Sequence, residues 1–175
     1  MAQTLLLTNI RHLVTVDGGD NVFENVNLRA TDGVIDHIGP EAPPADVTLD
    51  LRGMAVYPGL INTHHHLYQI LTRNIRRVQN LELFDWLVAL YEIWKHLTVD
   101  GVRLSSLAGM GELAKYGCTT VFDHHYVFPK DSGDLIAAQF AAAAEIGVRM
   151  VASRGSMSLS KKDGGLPPDS VVQTV

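Results

Sequence analysis

The order of apolar and polar residues divides the chain into two parts of different character. Residues 3–57 consist of short apolar runs separated by turn residues such as Asp17-Gly18-Gly19-Asp20, a pattern typical of strands joined by tight turns. We predict strands in five of these runs, at 4–7, 13–16, 22–29, 34–38 and 47–51. The first part is therefore predicted to be a small antiparallel β unit.

From residue 55 the apolar runs are separated by amphipathic stretches of roughly 10 or more residues, which is the pattern of parallel β/α units. Gly117 and Gly147 follow two of these stretches and are expected to end helices. We divide the chain into residues 1–54 and 55–175. The second part is predicted to contain strands at 55–62, 119–123 and 148–153 and helices at 67–74, 83–96, 99–116 and 135–146.

The run from Pro58 to His66 ends an apolar strand in three histidines. Successive side chains of a strand point to opposite faces, so His64 and His66 project together and His65 points away. Neutral imidazole is a good ligand for zinc, and two imidazoles fill half of a tetrahedral shell. The run predicts a metal-binding pair, with a solvated histidine cluster that binds metal by accident as the alternative.

With these features the chain resembles the amidohydrolase superfamily. Within it, the chain is most similar to the aminohydrolases of purines, pterins and triazines, and in particular to the 8-oxoguanine deaminases. Four segments carry the resemblance: His64-His65-His66-Leu67-Tyr68-Gln69, Leu83-Phe84-Asp85-Trp86-Leu87, Asp123-His124-His125-Tyr126 and Ser153-Arg154-Gly155-Ser156-Met157-Ser158.

The resemblance implies an α/β fold: the start of a (β/α)8 TIM-type barrel, preceded by part of a small N-terminal β-sandwich. Members of the superfamily are more than twice as long as 175 residues, so we expect a truncated, N-terminal piece of an enzyme. The remaining metal ligands and the proton-transfer carboxylate are then expected beyond Val175. No catalytic residue is expected within the piece, which should be inactive by itself.

The resemblance also implies roles for individual residues. His64 and His66 would bind one divalent metal ion, zinc or alternatively iron. Gln69 and Arg154 would orient a flat ring, while Trp86 and Tyr126 would shape its pocket. The alternatives are a surface position for Gln69, plain core packing for Trp86 and a structural salt bridge for Arg154. We expect His124 and His125 to be structural.

Composition limits the classes of partner. The 14 basic and 19 acidic residues give a net charge of −5, which argues against nucleic-acid binding. A local group of three arginines (Arg73, Arg76 and Arg77) is expected to be solvated. No apolar run approaches the roughly 20 residues of a membrane span, and no signal peptide is visible. Cys118 is the only cysteine, which excludes an internal disulfide. Together these features predict a cytoplasmic protein without membrane contacts.

The predicted function is metal-dependent hydrolytic deamination of an oxidised purine or related small N-heterocycle such as 8-oxoguanine, and the parent enzyme could be a homo-oligomer. The nearest alternative is a triazine amino- or chlorohydrolase, because both reactions use the same machinery. A binuclear hydrolase of the hydantoinase or dihydroorotase kind is more distant. The remaining alternative is a non-catalytic fragment with adventitious metal affinity.

Overall fold

A computed structural model describes residues 3–174. They belong to two compact units, one up to Pro58 and one from Gly59 onward. The first unit is a five-stranded sheet in which three strands have the order β3-β2-β1 and both β4 and β5 pair with β1. Its strands are β1 (Thr4–Val14), β2 (Val22–Thr31), β3 (Val34–Gly39), β4 (Val47–Asp50) and β5 (Ala55–Val56).

The direction of two strands differs from the prediction. β1, β2 and β3 are antiparallel neighbours, but β4 and β5 both run parallel to β1. The prediction of a purely antiparallel unit is therefore wrong. The reason lies in the connection after β3. The stretch over 40–46 takes the chain past β2 and β1 to the other side of β1, where β4 begins. A tight turn would instead have placed the next strand antiparallel beside β3.

β1 also joins two runs that the sequence pattern separates. The pairing with β2 shifts between Leu7 and Ile10, where Asn9 adopts a left-handed conformation (φ 57°). Asparagine tolerates this conformation better than most residues. The strand therefore continues through a bulge, and Ile10 packs in the core of this unit with Leu13, Val26 and Leu28.

The second unit contains a parallel three-stranded sheet of order β6-β7-β8. Helices connect its strands, and short 3-10 turns at Leu67–Thr72 and Arg76–Val78 follow the first strand. The regular elements are β6 (Leu60–His65), α1 (Leu83–Trp94), α2 (Val99–Lys115), β7 (Cys118–His125), α3 (Leu135–Ile146) and β8 (Arg149–Arg154).

The predicted single strand at 55–62 is two strands in two different sheets. β5 pairs with β1, whereas β6 pairs with β7, and Pro58-Gly59 separates them. A side chain at Gly59 would overlap Thr119 at the start of β7, so glycine permits the close approach of the two strands. The exact domain division at residue 54 stays a prediction.

The two faces of the second sheet have different surroundings. Val121 packs among side chains of α2 and α3, including Met110 and Ala142. Asp123 and His125 follow on the same face because strand side chains alternate, and both are fully buried. The opposite face carries the even-numbered residues of β7.

Within residues 3–174, no helix is both long enough and apolar enough to cross a bilayer.

Candidate active site

The end of β6 brings two imidazoles together. Nε2 of His64 lies 3.3 Å from Nε2 of His66, as the two-residue period of a strand predicts. Nδ1 of His66 is 2.7 Å from the backbone carbonyl oxygen of His124. A carbonyl can only accept, so Nδ1 carries the proton and donates it. In the neutral ring, Nε2 of His66 therefore has a free lone pair that faces His64.

This geometry fits a shared metal ion. Two lone pairs at this distance repel unless a proton or a cation lies between them. For bonds of about 2.0–2.1 Å, the edge of a tetrahedral zinc site measures about 3.3–3.4 Å, which matches the observed separation. Ligating histidines also usually donate their other ring N–H to a carbonyl or carboxylate. The described part of the chain holds no cluster of three potential His, Cys, Asp or Glu ligands, so it supplies a pair.

His65 belongs to the other face of the sheet. It pairs in register with Asp123 of β7, and its Nδ1 atom is buried without a hydrogen-bond partner. Burial is the main cause that lowers its pKa. His65 is therefore directed away from the pair, as expected from the strand period.

Gln69 lies beside the histidine pair in the 3-10 turn that follows β6. Its Nε2 donates to the hydroxyl oxygens of Tyr126, at 3.2 Å, and Tyr68, at 3.3 Å. The Tyr126 ring meets the His66 ring edge to face, with 5.3 Å between the centroids. Burial raises the pKa of both tyrosines, so both hydroxyls are held neutral. Both protein contacts of the Gln69 carboxamide are made through nitrogen, and its oxygen takes no part in them.

A second chain of hydrogen bonds fixes the backbone at Gln69. The indole N–H of Trp94 donates to the Thr72 hydroxyl at 3.1 Å, and that hydroxyl donates to the carbonyl oxygen of Gln69 at 3.0 Å. Trp94 is only 1% exposed. The position of Gln69 is therefore tied to the core side of α1.

The histidine pair and Gln69 line a cavity of about 640 Å³. This volume lies within the roughly 300–1,000 Å³ of small-molecule sites. Trp86 lines the same cavity and meets Trp94 edge to face, with 5.5 Å between centroids. The polar and aromatic lining includes His64, His65, His66, Gln69, Thr72, Arg73, Asn74, Gln79, Trp86, Glu112 and Tyr116, so His65 also borders the cavity although it lies apart from the pair.

The structure does not bring Arg154 to this cavity. Arg154 pairs in register with His125, so it starts from the face of the sheet that α2 and α3 cover. Its guanidinium carbon lies 4.4 Å from the centroid of the Phe128 ring, and the side chain lines a different cavity near the beginning of α3. Ring binding by Arg154 stays a prediction that requires the guanidinium to leave Phe128.

Two buried polar residues lie beside the site: Asp123, to which the sequence assigned no role, and His125, which was expected to be structural. Asp123 accepts hydrogen bonds from the backbone N–H of Leu67 at 2.6 Å and from Nε2 of Gln139 at 2.7 Å. His125 donates from Nε2 to the carbonyl oxygen of Val127 at 2.9 Å, which is a structural use of that ring. A charged residue at the end of an apolar strand was the available signal for Asp123, since unpaired charges are rarely buried.

Comparison with known proteins identifies relatives over most of the chain. Residues 55–174 match the amidohydrolase family. The chain is 46% identical over 132 residues to the 8-oxoguanine deaminase of Pseudomonas aeruginosa strain PAO1, covering 75% of this chain and 29% of that protein. It is 36% identical over 182 residues to the hydroxydechloroatrazine ethylaminohydrolase of Pseudomonas sp. strain ADP, covering 96% of this chain and 38% of that protein.

A solved structure has the same fold over almost the whole chain. Atrazine chlorohydrolase TrzN from Arthrobacter aurescens TC1, crystallised with zinc, superposes with a TM-score of 0.82 at 29% identity, covering 97% of this chain and 40% of that one. The chain thus spans only about a third of the length of the curated relatives it matches. The matched residues include both histidines of the pair and every strand of the second sheet, and the chain belongs to the amidohydrolase family.

Proposed function

We propose that this chain supplies the metal-binding pair and the ring-binding cavity of a metal-dependent aminohydrolase that acts on an oxidised purine such as 8-oxoguanine. One observation carries the proposal: two histidine Nε2 atoms lie 3.3 Å apart at the end of a parallel strand, and they line a cavity with a carboxamide and an indole. The identity to an 8-oxoguanine deaminase supports this substrate class.

His64 and His66 would hold the metal through Nε2, with zinc the first candidate and iron the second. A bound divalent ion would supply Lewis acidity, which generates a nucleophile from water at neutral pH. The His124 carbonyl keeps the proton of His66 on Nδ1, so His66 is ready to bind without a change of tautomer.

Gln69 would recognise the edge of the substrate ring. Its N–H groups are engaged by Tyr68 and Tyr126, which orients the carboxamide, and its oxygen would accept from a ring N–H of a lactam. Trp86 would cover a flat heterocycle, and Tyr126 would limit the pocket beside His66. An orientation fixed in advance lowers the entropy cost of binding.

A complete site needs groups outside these residues. The described part of the chain offers a pair of ligands rather than a full set, and the chain covers only 29% and 38% of the two curated relatives. We propose that the second unit is the start of a (β/α)8 barrel and the first unit part of a β-sandwich, with the other ligands and a proton-transfer carboxylate in further polypeptide. The 175 residues alone should then have no deaminase activity, because such groups act as a unit.

A triazine hydrolase is the second candidate. The match to hydroxydechloroatrazine ethylaminohydrolase covers 96% of the chain, more than the match to the deaminase. Triazines and purines are both flat N-heterocycles, and the cavity lining described above suits either.

Substrate assays separate the two candidates. A polypeptide in which this sequence continues to the length of its relatives is tested for ammonia release from 8-oxoguanine and ethylamine release from hydroxydechloroatrazine, with and without zinc. We expect zinc-dependent ammonia release in the longer polypeptide and none from residues 1–175. Faster release of ethylamine would assign the triazine function instead.

Thermal melts of the 175-residue chain test the alternative of adventitious binding. Zinc should raise the melting temperature of the wild type through the preformed pair, and the double variant His64→Ala/His66→Ala should lose this effect. His12→Ala/His37→Ala, which removes two histidines of the first unit, is the matched control. An equal loss in the control would identify nonspecific histidine binding.

A further inference from the structure

Asp123 is fully buried near the C-terminal end of β7. One oxygen accepts the backbone N–H of Leu67, the residue that follows His66, at 2.6 Å. The other accepts from Gln139 of α3 at 2.7 Å. The Leu67 amide is buried, and without this acceptor it would be left without a partner, so the Asp123 side chain holds it in place.

His124, the next residue of β7, contacts the ring of His66. The carbonyl oxygen of His124 receives the proton of His66 Nδ1 at 2.7 Å. Two consecutive residues of β7 therefore fix His66: His124 binds its ring, and Asp123 binds the peptide N–H that follows it. A ring held only at Nδ1 could swing with its backbone, whereas the second contact fixes the peptide from which the ring projects.

We propose that Asp123 is a positioning residue for His66: by fixing the Leu67 peptide it keeps the His66 ring on the His124 carbonyl, so that Nε2 stays unprotonated and faces His64. This inference rests on the proposed metal-binding role of His66. Gln139 only satisfies the second oxygen of the carboxylate and makes no contact with the Leu67 amide.

The proton on His66 provides a test that needs neither metal nor activity. Long-range ¹H–¹⁵N NMR of the metal-free protein distinguishes the Nδ1–H tautomer from the Nε2–H tautomer. In the wild type we expect His66 as the Nδ1–H form and a slowly exchanging Leu67 amide proton. A wild-type His66 in the Nε2–H form would overturn the proposal without any variant.

Three variants separate positioning from general stability. Asp123→Ala frees the Leu67 amide and should give a mixture of His66 tautomers. Asp123→Asn should restore the Nδ1–H form, because its Oδ1 still accepts from Leu67. Its amide can donate to Oε1 of Gln139, which is buried without a partner, once the Gln139 carboxamide turns over. Gln139→Ala is the matched control: it removes the other bond to the carboxylate and should leave the tautomer unchanged.

Zinc affinity gives a second readout. Loss of a group that orients a metal-binding histidine typically weakens metal affinity by about 10- to 100-fold, and we expect this for Asp123→Ala but less than about 3-fold for Gln139→Ala and Asp123→Asn. If the wild type binds zinc and Asp123→Ala binds it equally, the positioning role is wrong. If zinc binding by the wild type does not depend on His64 and His66, the proposed metal site itself fails. Equal effects of Asp123→Ala and Gln139→Ala would reduce both residues to ordinary core contacts.

Discussion

At the scale of single residues, the orientation of a few side chains distinguishes a binding site from a histidine-rich surface. His64 is exposed and His66 is half-buried, yet their Nε2 atoms meet. The tautomer of His66 follows from its backbone acceptor, and the direction of the Gln69 carboxamide follows from two tyrosine hydroxyls. Each contact reduces the freedom of a group that would otherwise have to be ordered on binding.

Gln69→Ala tests the role of the carboxamide in a catalytically complete polypeptide. Removal of the amide leaves polar groups of a buried substrate unpaired, at about 1–3 kcal/mol, so we expect kcat/KM for 8-oxoguanine to fall by about 5- to 150-fold. Zinc content should not change, because Gln69 is not a proposed ligand. His66→Ala is the comparison and should lower both. Metal analysis and steady-state kinetics of the two variants decide the matter, and zinc loss in Gln69→Ala would contradict the assignment.

At the scale of elements, close packing places the turn that carries Gln69. A Cβ at Gly109 of α2 would lie 2.8 Å from Leu67 Cδ2 and 3.2 Å from Ile70 Cγ1, whereas the nearest such atom to a Cβ at Gly111 is Ile146 Cδ1 at 3.9 Å. Leu67 is fully buried. Packing therefore requires glycine at position 109 of α2, whereas position 111 has room for a side chain.

This difference predicts opposite effects of the same substitution. Gly109→Ala should destabilise the chain by about 1–3 kcal/mol, because overpacking outweighs the gain in helix propensity. Gly111→Ala should stabilise it by about 0.5–1 kcal/mol, because the added methyl group meets no obstacle. Urea unfolding of both variants is the measurement. Stabilisation by Gly109→Ala would mean that Leu67 and the turn after it can move.

The pKa of Tyr91 in α1 predicts an alkaline effect. Burial raises this pKa to about 12, above the ordinary value of about 10. Between these values the unfolded chain loses a proton that the folded chain keeps, so stability falls as pH rises. In this range Tyr91→Phe should reduce the fall in the free energy of unfolding by up to about 1.4 kcal/mol per pH unit. Urea unfolding at about pH 9 and about pH 11.5 compares the variant with the wild type, and parallel losses in both would show that Tyr91 is not the group responsible.

Local signals predicted some elements well and others poorly. Helix α3 is confirmed at 135–146, because Gly147 marks its end in the sequence. The structure adds that the Asp134 side chain caps its start. The directions of β4 and β5 were missed because pairing with β1 depends on distant residues. The placement of Arg154 needed the register between β7 and β8, which a single sequence does not contain, whereas the pairing of His64 with His66 needed only the period of one strand.

At the scale of the whole molecule, the second sheet leaves apolar surface uncovered. Among the described strands, β6 and β8 each pair on one side only. Ile61 is 66% exposed and Val151 54% exposed. Unpaired strand edges with apolar side chains promote association between chains.

We therefore expect the 175-residue chain to self-associate as its concentration rises. Ile61→Lys and Val151→Lys should each increase the monomer fraction severalfold, because a buried charge opposes contact between two such surfaces. Leu104→Lys, at an exposed position of α2, is the control and should have a smaller effect. Sedimentation velocity over a concentration series measures the monomer fraction, and equal effects of all three substitutions would indicate general charge repulsion.

The position of β1 in the first sheet has a consequence for synthesis. Its early residues pair with 47–50 and its later ones with 55–56, so on that side Leu5 has no neighbour until about forty further residues have been made. At about 5–20 residues per second, that interval lasts about 2–8 s. The β1–β2 hairpin must persist on the ribosome with one side open, and a pause in translation before residue 47 would prolong its exposure to other nascent chains.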